Sequence, residues 1–205
     1  MGFFSPQFGN MSHKLILASN SPRRQQLMRE AGFRFSVRVL AVEENFPESM
    51  PVAEVAEYLA RKKGQAHQSA MALDEIVITA DTTVILEDQV LNKPADEAEA
   101  RQMLRKLSGA EHQVVTGVCL SLPDLQESFS DVTRVNFRRL EASEIDYYIN
   151  HYQPFDKAGA YAIQEWIGMV GIERIEGSYY NVVGLPLEKL YTRLKKMAVL
   201  SLGPS

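Results

Sequence analysis

Six side chains in the first half of the chain are of the types that hold phosphates and activate water: the cations Arg23, Arg24, Lys63 and Lys93, and the acids Glu44 and Asp81. Cations neutralise charge on non-bridging phosphate oxygens, a divalent metal bridges phosphates, and a carboxylate orients or deprotonates water. Drawn into one place, the six would hold a polyanion with a divalent metal and suit phosphoryl or nucleotidyl transfer. Spacing alone does not establish that they converge. Neither GxxxxGK[ST] nor a GxGxxG fingerprint occurs, so neither common nucleotide loop accounts for them.

The elements that must position these residues begin with residues 15–26, LILASNSPRRQQ. Leu15, Ile16 and Leu17 suit a buried strand, Ser21 is a good N-cap, and Pro22 at the first helical position loses only an amide proton that is unpaired there anyway. The helix start aims free N–H groups and a partial positive charge at the loop, and Arg23 and Arg24 add two fork-shaped cations. This is either an anion site, best suited to phosphate, or a well-capped helix with two solvated arginines. Gly32 suits the helix C-cap. Residues 33–39 alternate apolar Phe33, Phe35, Val37 and Val39 with polar neighbours, the period of a strand, and lead into a turn carrying Glu43 and Glu44. Adjacent carboxylates there either bind Mg²⁺ or are simply solvated.

A helix is predicted from Pro51 to about Met71, with Val52, Val55, Ala56, Leu59, Ala60 and Ala66 on one stripe. Lys63 lies near the centre of that stripe and Lys62 on its edge. An ammonium there is costly unless paired, so Lys63 either snorkels past the core or faces a cleft that holds an anion. Residues 75–86, EIVITADTTVIL, form the most apolar segment, interrupted by Asp81. A strand running through would bury a carboxylate, so a bend is expected at residues 80–82, presenting Asp81 at a strand end. There it is a candidate general base or metal ligand, or a turn aspartate bonding its own backbone. A hairpin then brings Lys93 within possible reach of Asp81.

Asp96 and Glu99 form a capping-box pattern for a helix through Leu107, closed by Ser108 and Gly109. Strands are expected at residues 114–122 and 132–140, joined by a loop, then a helix from Ser143 to near Pro154. The mixed loop 156–164, DKAGAYAIQ, precedes a strand region punctuated by Gly171, Gly177 and Gly184, and Pro186 opens a final helix to about Met197. Strands alternating with helices argue for an α/β fold with a mixed sheet.

Composition narrows the partners. The 205 residues suffice for one substantial core or two lobes sharing a sheet. A formal charge of −4 disfavours generic nucleic-acid binding, so any anion must be held by a local cluster of cations. The single cysteine, Cys119, lies in a strand-like run and reads as a small core residue. No apolar stretch approaches a membrane span, residues 1–11 read as a flexible extension, and a cytoplasmic location is the default.

LASNSPRR, the VEEN turn, ARKK, TADTTVIL with VLNKP, QVVTGV, DKAGAYAIQ and EGSYYNVVGLP occur in the order seen in the Maf family of nucleoside-triphosphate pyrophosphatases, which residues 13–197 therefore resemble. The resemblance implies hydrolysis between the α and β phosphates, and a two-lobed α/β fold around a cleft, similar to the inosine-triphosphate pyrophosphatases, often as a homodimer. It implies Asp81 as proton acceptor, with Glu44 and Asp81 holding Mg²⁺ or Mn²⁺. Ser19, Arg23, Arg24, Lys63 and Lys93 would line the phosphates. Arg23, Thr82 and Gln164 match positions tied to substrate choice, and DKAGAYAIQ resembles the branch acting on dTTP and UTP. A Gln164 amide offers a donor and an acceptor to a pyrimidine edge. The chain departs from the family at Glu165-Trp166-Ile167-Gly168, where many members have a Gly-rich turn, and Trp166 either stacks on a base or packs. The competing readings are a 7-methyl-GTP pyrophosphatase and a nucleotide-binding regulator of cell division with little catalysis.

Overall fold

Leu15, Ile16 and Leu17 are buried in the first strand, β1 (Lys14–Leu17). The Ser21 hydroxyl then accepts the Arg24 N–H at 3.4 Å and starts α1 (Pro22–Glu30). These coordinates are a computed structural model describing residues 13–197, so the expected N-terminal extension lies outside the described residues. The next strand, β2 (Phe35–Val37), is shorter than its alternation suggests, because β1 ends at Leu17 and offers no further pairing register. A helix follows as expected: α2 (Val55–His67), with single 3-10 turns at Val52–Glu54 and Gln68–Ala70.

The bend expected at Asp81 does not occur. The strand β3 (Glu75–Leu86) runs straight through it, in unbroken antiparallel register with β5 (Glu111–Ser121), Asp81 opposite Gly117. The carboxylate tolerates this position because it meets the Lys63 ammonium rather than the apolar layers, so burial leaves no unpaired charge. The hairpin forms with β4 (Gln89–Leu91), and α3 (Glu97–Leu107) is capped by Asp96, whose carboxylate accepts the Glu99 N–H at 2.9 Å. The return bond from Glu99 goes to the N–H of Ala95 at 2.7 Å instead of to Asp96.

Two further expectations are corrected. The predicted loop after β5 is largely strand, since β6 (Gln126–Phe137) pairs with β5 from Gln126 onward. Its polar residues find partners that an alternation pattern does not reveal: Ser128 donates to Glu57 at 2.7 Å and Thr133 to the Ser178 carbonyl at 3.0 Å. After α4 (Ala142–Tyr152), capped by Glu141 rather than started by Ser143, the Gly-punctuated region contains only one strand. It holds α5 (Trp166–Gly171), β7 (Ile172–Glu176) and α6 (Tyr179–Val183), and Gly177 and Gly184 adopt φ of 127° and 125° beside α6. The last helix is α7 (Leu187–Lys196).

Among the described residues seven strands form one sheet in the order β2-β1-β3-β5-β6-β7, with β4 on β3. Pairings β2–β1–β3 are parallel and the others antiparallel. Two apolar cores share one face of this sheet. At one end Leu15, Ile76, Ile78 and Leu120 pack on α1 and α7, and at the other Val84, Val114 and Phe137 pack on α3 and α4. Between them runs a polar seam in which the Thr82 and Thr116 hydroxyls meet at 2.9 Å and Thr116 donates to the Asn181 carbonyl of α6. This is the two-lobed, mixed α/β arrangement expected.

The opposite face is covered by α2, which lies unusually close. A Cβ at Gly117 would stand 2.3 Å from the Glu57 nitrogen, so only glycine lets the helix settle onto β5. That contact fixes Lys63 over Asp81. Cys119 is fully buried, a core residue as expected, and no helix among the described residues is long and apolar enough to cross a membrane.

Candidate active site

A gap in the hydrogen-bonded edge of β3 makes the site. On the β1 side, pairing ends where the Ala18 N–H reaches the Ile78 carbonyl, and on the same edge β4 pairing begins at Val84. Residues 80–83 are left without a strand partner there. Side chains of both sheet faces, and the loops at either side of the gap, therefore reach one cleft of about 750 Å³. Ser19, Arg23, Arg24, Glu44, Lys63, Asp81, Thr82, Lys93 and Gln164 all line it. The convergence that spacing left open is thus a property of the fold.

Lys63 sits at the centre, its Nζ donating to Glu44 Oε1 at 2.7 Å and to Asp81 Oδ1 at 2.5 Å. Its side chain is 16% exposed, so it faces the cleft rather than snorkelling to bulk water. Lys93 Nζ stands 3.6 Å from Glu44 Oε2, so its ionic partner is Glu44 rather than the Asp81 considered from sequence. Burial opposes ionisation of Glu44, but the hydrogen bond and charge of Lys63, then the charge of Lys93, outweigh it and hold the carboxyl below its usual range. Lys62, one residue away, donates to the Asn45 carbonyl and side chain and so pins the acidic loop beside α2.

Arg24 works differently from Arg23. Its Nε donates to the Gly184 carbonyl at 2.8 Å, Nη1 to the Ala80 carbonyl at 2.9 Å and to Ser19 Oγ at 3.3 Å, and Nη2 to Thr82 Oγ1 at 2.9 Å. It braces the gap in β3 and fixes Ser19 and Thr82 in doing so. Arg23 instead crosses to the far wall, where Nη1 meets Asp156 Oδ2 at 3.2 Å. Asp156 and its neighbour Lys157 stood in the sequence only as an acid and a base in a mixed loop. Their part in the cleft was hidden because the contact with Arg23 spans 133 positions.

Gln164 is exposed at the cleft, beside the buried Tyr161. Trp166 packs edge-on against Tyr147 with ring centres 4.8 Å apart. The Tyr161 hydroxyl shares a 2.7 Å hydrogen bond with His112 Nε2. Burial pushes the Tyr161 phenol well up, away from proton transfer near neutrality, and pushes His112 down to about 4. An unfolded His112 takes up a proton near 6.5 whereas the folded ring stays neutral until about 4. Acid therefore favours the unfolded chain, and this residue should remove about 3 kcal/mol of stability as pH falls from 6.5 to 4. Urea unfolding across that range should show the slope, and His112→Gln should flatten it; an equal slope in the variant would refute the assignment.

As metal ligands, Glu44 and Asp81 supply hard oxygen donors gathered around one positive charge, a set that fits a cation such as Mg²⁺ that keeps most of its waters. Among the described residues, no group of three or more His, Cys, Asp or Glu stands together as a metal site.

Fold and site together define an α/β protein with a cleft lined by cations and carboxylates between the two lobes of one sheet. The chain belongs to the Maf-like protein family, whose model matches residues 14–197. It is 52% identical over 186 residues to a dTTP/UTP pyrophosphatase of Phocaeicola vulgatus, covering 90% of this chain and 96% of that one. It is 50% identical over 191 residues to a dTTP/UTP pyrophosphatase of Bacteroides thetaiotaomicron, covering 92% and 99%. Among solved structures, the Staphylococcus aureus Ham1 protein superposes with a TM-score of 0.53 at 18% identity, covering 90% of this chain and 99% of that one, a likeness of fold alone.

Proposed function

We propose that this protein is a nucleoside-triphosphate pyrophosphatase that hydrolyses dTTP and UTP to the monophosphate and pyrophosphate. The observation that carries the reading is the gathering of Glu44, Lys63, Asp81 and Lys93 in one cleft, in a chain about half identical to enzymes of that name. In this reading Asp81 takes the proton of a water that attacks phosphorus, and the α–β bridging P–O bond breaks to release pyrophosphate. Lys63, Lys93 and Arg23 neutralise the non-bridging oxygens, and Ser19 and Arg24 shape the phosphate end. Glu44 and Asp81 hold a divalent cation, Mg²⁺ or Mn²⁺, which supplies charge neutralisation at the phosphates.

Thr82 and Gln164, with Arg23, select the base. Gln164 pairs its amide with the carbonyl and N–H edge of thymine or uracil. A homodimer, resting on the family resemblance, and a cytoplasmic location, the default from sequence, complete the proposal.

The test is a pyrophosphate-release screen over dTTP, UTP, dCTP, dGTP and 7-methyl-GTP, with Mg²⁺, with Mn²⁺ and with EDTA. Release fastest on dTTP and UTP, and abolished by EDTA, is the expected result. Preference for 7-methyl-GTP would overturn the base assignment, and nucleotide binding without turnover would favour the regulator.

A further inference from the structure

Glu165, which follows Gln164 and which the proposed chemistry does not use, belongs to a closed network. Lys157 is only 7% exposed, yet its ammonium has two carboxylates, Asp156 Oδ1 at 2.7 Å and Glu165 Oε1 at 3.4 Å. The contact with Glu165 joins the two ends of loop 157–165. Glu165 also accepts the Tyr148 hydroxyl proton, and that hydroxyl in turn accepts the Ala162 N–H at 3.2 Å. The Glu165 N–H returns to the Ala162 carbonyl at 3.1 Å, and a Cβ at Gly168 would stand 2.0 Å from the Ile163 carbonyl oxygen. The loop is thus tied at both ends and pressed onto α5. Its inner side, including Tyr161, Ala162 and Gln164, lines the cleft, whereas Glu165 does not.

We propose that Glu165 is a positioning residue for substrate selection. Clasped by Lys157 and Tyr148, it fixes loop 157–165 so that the loop's cleft side meets the nucleobase, and it touches no part of the substrate. A buried, fully paired ammonium holds its geometry more firmly than an exposed ion pair, which suits a part whose purpose is to keep a polar edge in register. The proposal rests on the nucleotide pyrophosphatase reading and adds the device that orients its base-reading loop.

Glu165→Gln keeps the size and a partner for Tyr148 but removes the charge facing Lys157, and Tyr148→Phe removes only the hydroxyl. Each should raise KM for dTTP about tenfold and leave kcat within about threefold. The inhibition constant of inorganic tripolyphosphate, which has no base, should stay within about twofold. Glu165→Asp, which retains the charge, should recover part of the loss. A parallel rise in the tripolyphosphate constant would mean general damage to the cleft and overturn the proposal, as would an unmoved KM in both variants. If Glu165→Gln does not fold, Tyr148→Phe decides alone. A wild-type enzyme that cleaves no nucleotide would instead refute the proposed function before any variant is compared.

Discussion

Replacing Asp81 by asparagine is expected to lower kcat about 10³-fold while KM for the nucleotide changes by less than about threefold. Asparagine keeps the shape of the side chain, and Lys63 retains Glu44 as a partner, so the cleft should stay assembled. What is lost is the group able to take a proton from water, together with one charged oxygen donor for the cation. A 10³-fold loss corresponds to about 4 kcal/mol in the barrier, within the range that a positioned base contributes. Steady-state pyrophosphate release and direct nucleotide binding on the same variant separate the two effects. Turnover near the wild-type rate would remove Asp81 from the chemistry and leave it only as the counter-charge of Lys63.

Lys63→Met should lower kcat/KM about 10²-fold and move the acidic limb of the pH–rate profile upward. Methionine keeps the apolar stem on α2 but takes away the charge that both acids share. Because both touch one ammonium, the Glu44 and Asp81 oxygens lie within about 5 Å of each other, and at an effective dielectric of about 20 their repulsion is about 3 kcal/mol, less where water reaches the half-exposed Glu44. The direction follows from the causes acting on Glu44. Burial raises its pKa and Lys63 is the chief opposing influence, so without the lysine the carboxyl holds its proton to higher pH. The carboxylate needed for activity then forms later as pH rises, which is an upward shift of the acidic limb. Raised Mg²⁺ should restore part of the rate by replacing the missing positive charge. An acidic limb that stays in place would show that Lys63 does not govern the ionisation of Glu44.

Local sequence determined the pieces. Ser21 and Pro22 start α1 because capping and a fixed φ act over three or four residues, and the lysine on the apolar stripe of α2 announced an unusual environment because 3.6-residue periodicity places it there whatever packs opposite. The family motifs carried the reaction class, since their residue types are those that phosphate chemistry needs. Pattern reading failed where a distant partner satisfies a polar group. Asp81 argued for a bend only because Lys63, 18 positions earlier, was not yet known to neutralise it. The polar first half of β6 read as loop because Glu57 lies 71 positions from Ser128.

The gap in the edge of β3, the settling of α2 onto Gly117, and the ion pair from Arg23 to Asp156 across the cleft were decided only by the tertiary structure. Helix caps and periodicity are energies between near neighbours in the chain. The cleft is made where strand pairing stops, and where it stops depends on the lengths of three separate strands meeting in one sheet, a quantity no short stretch of sequence contains.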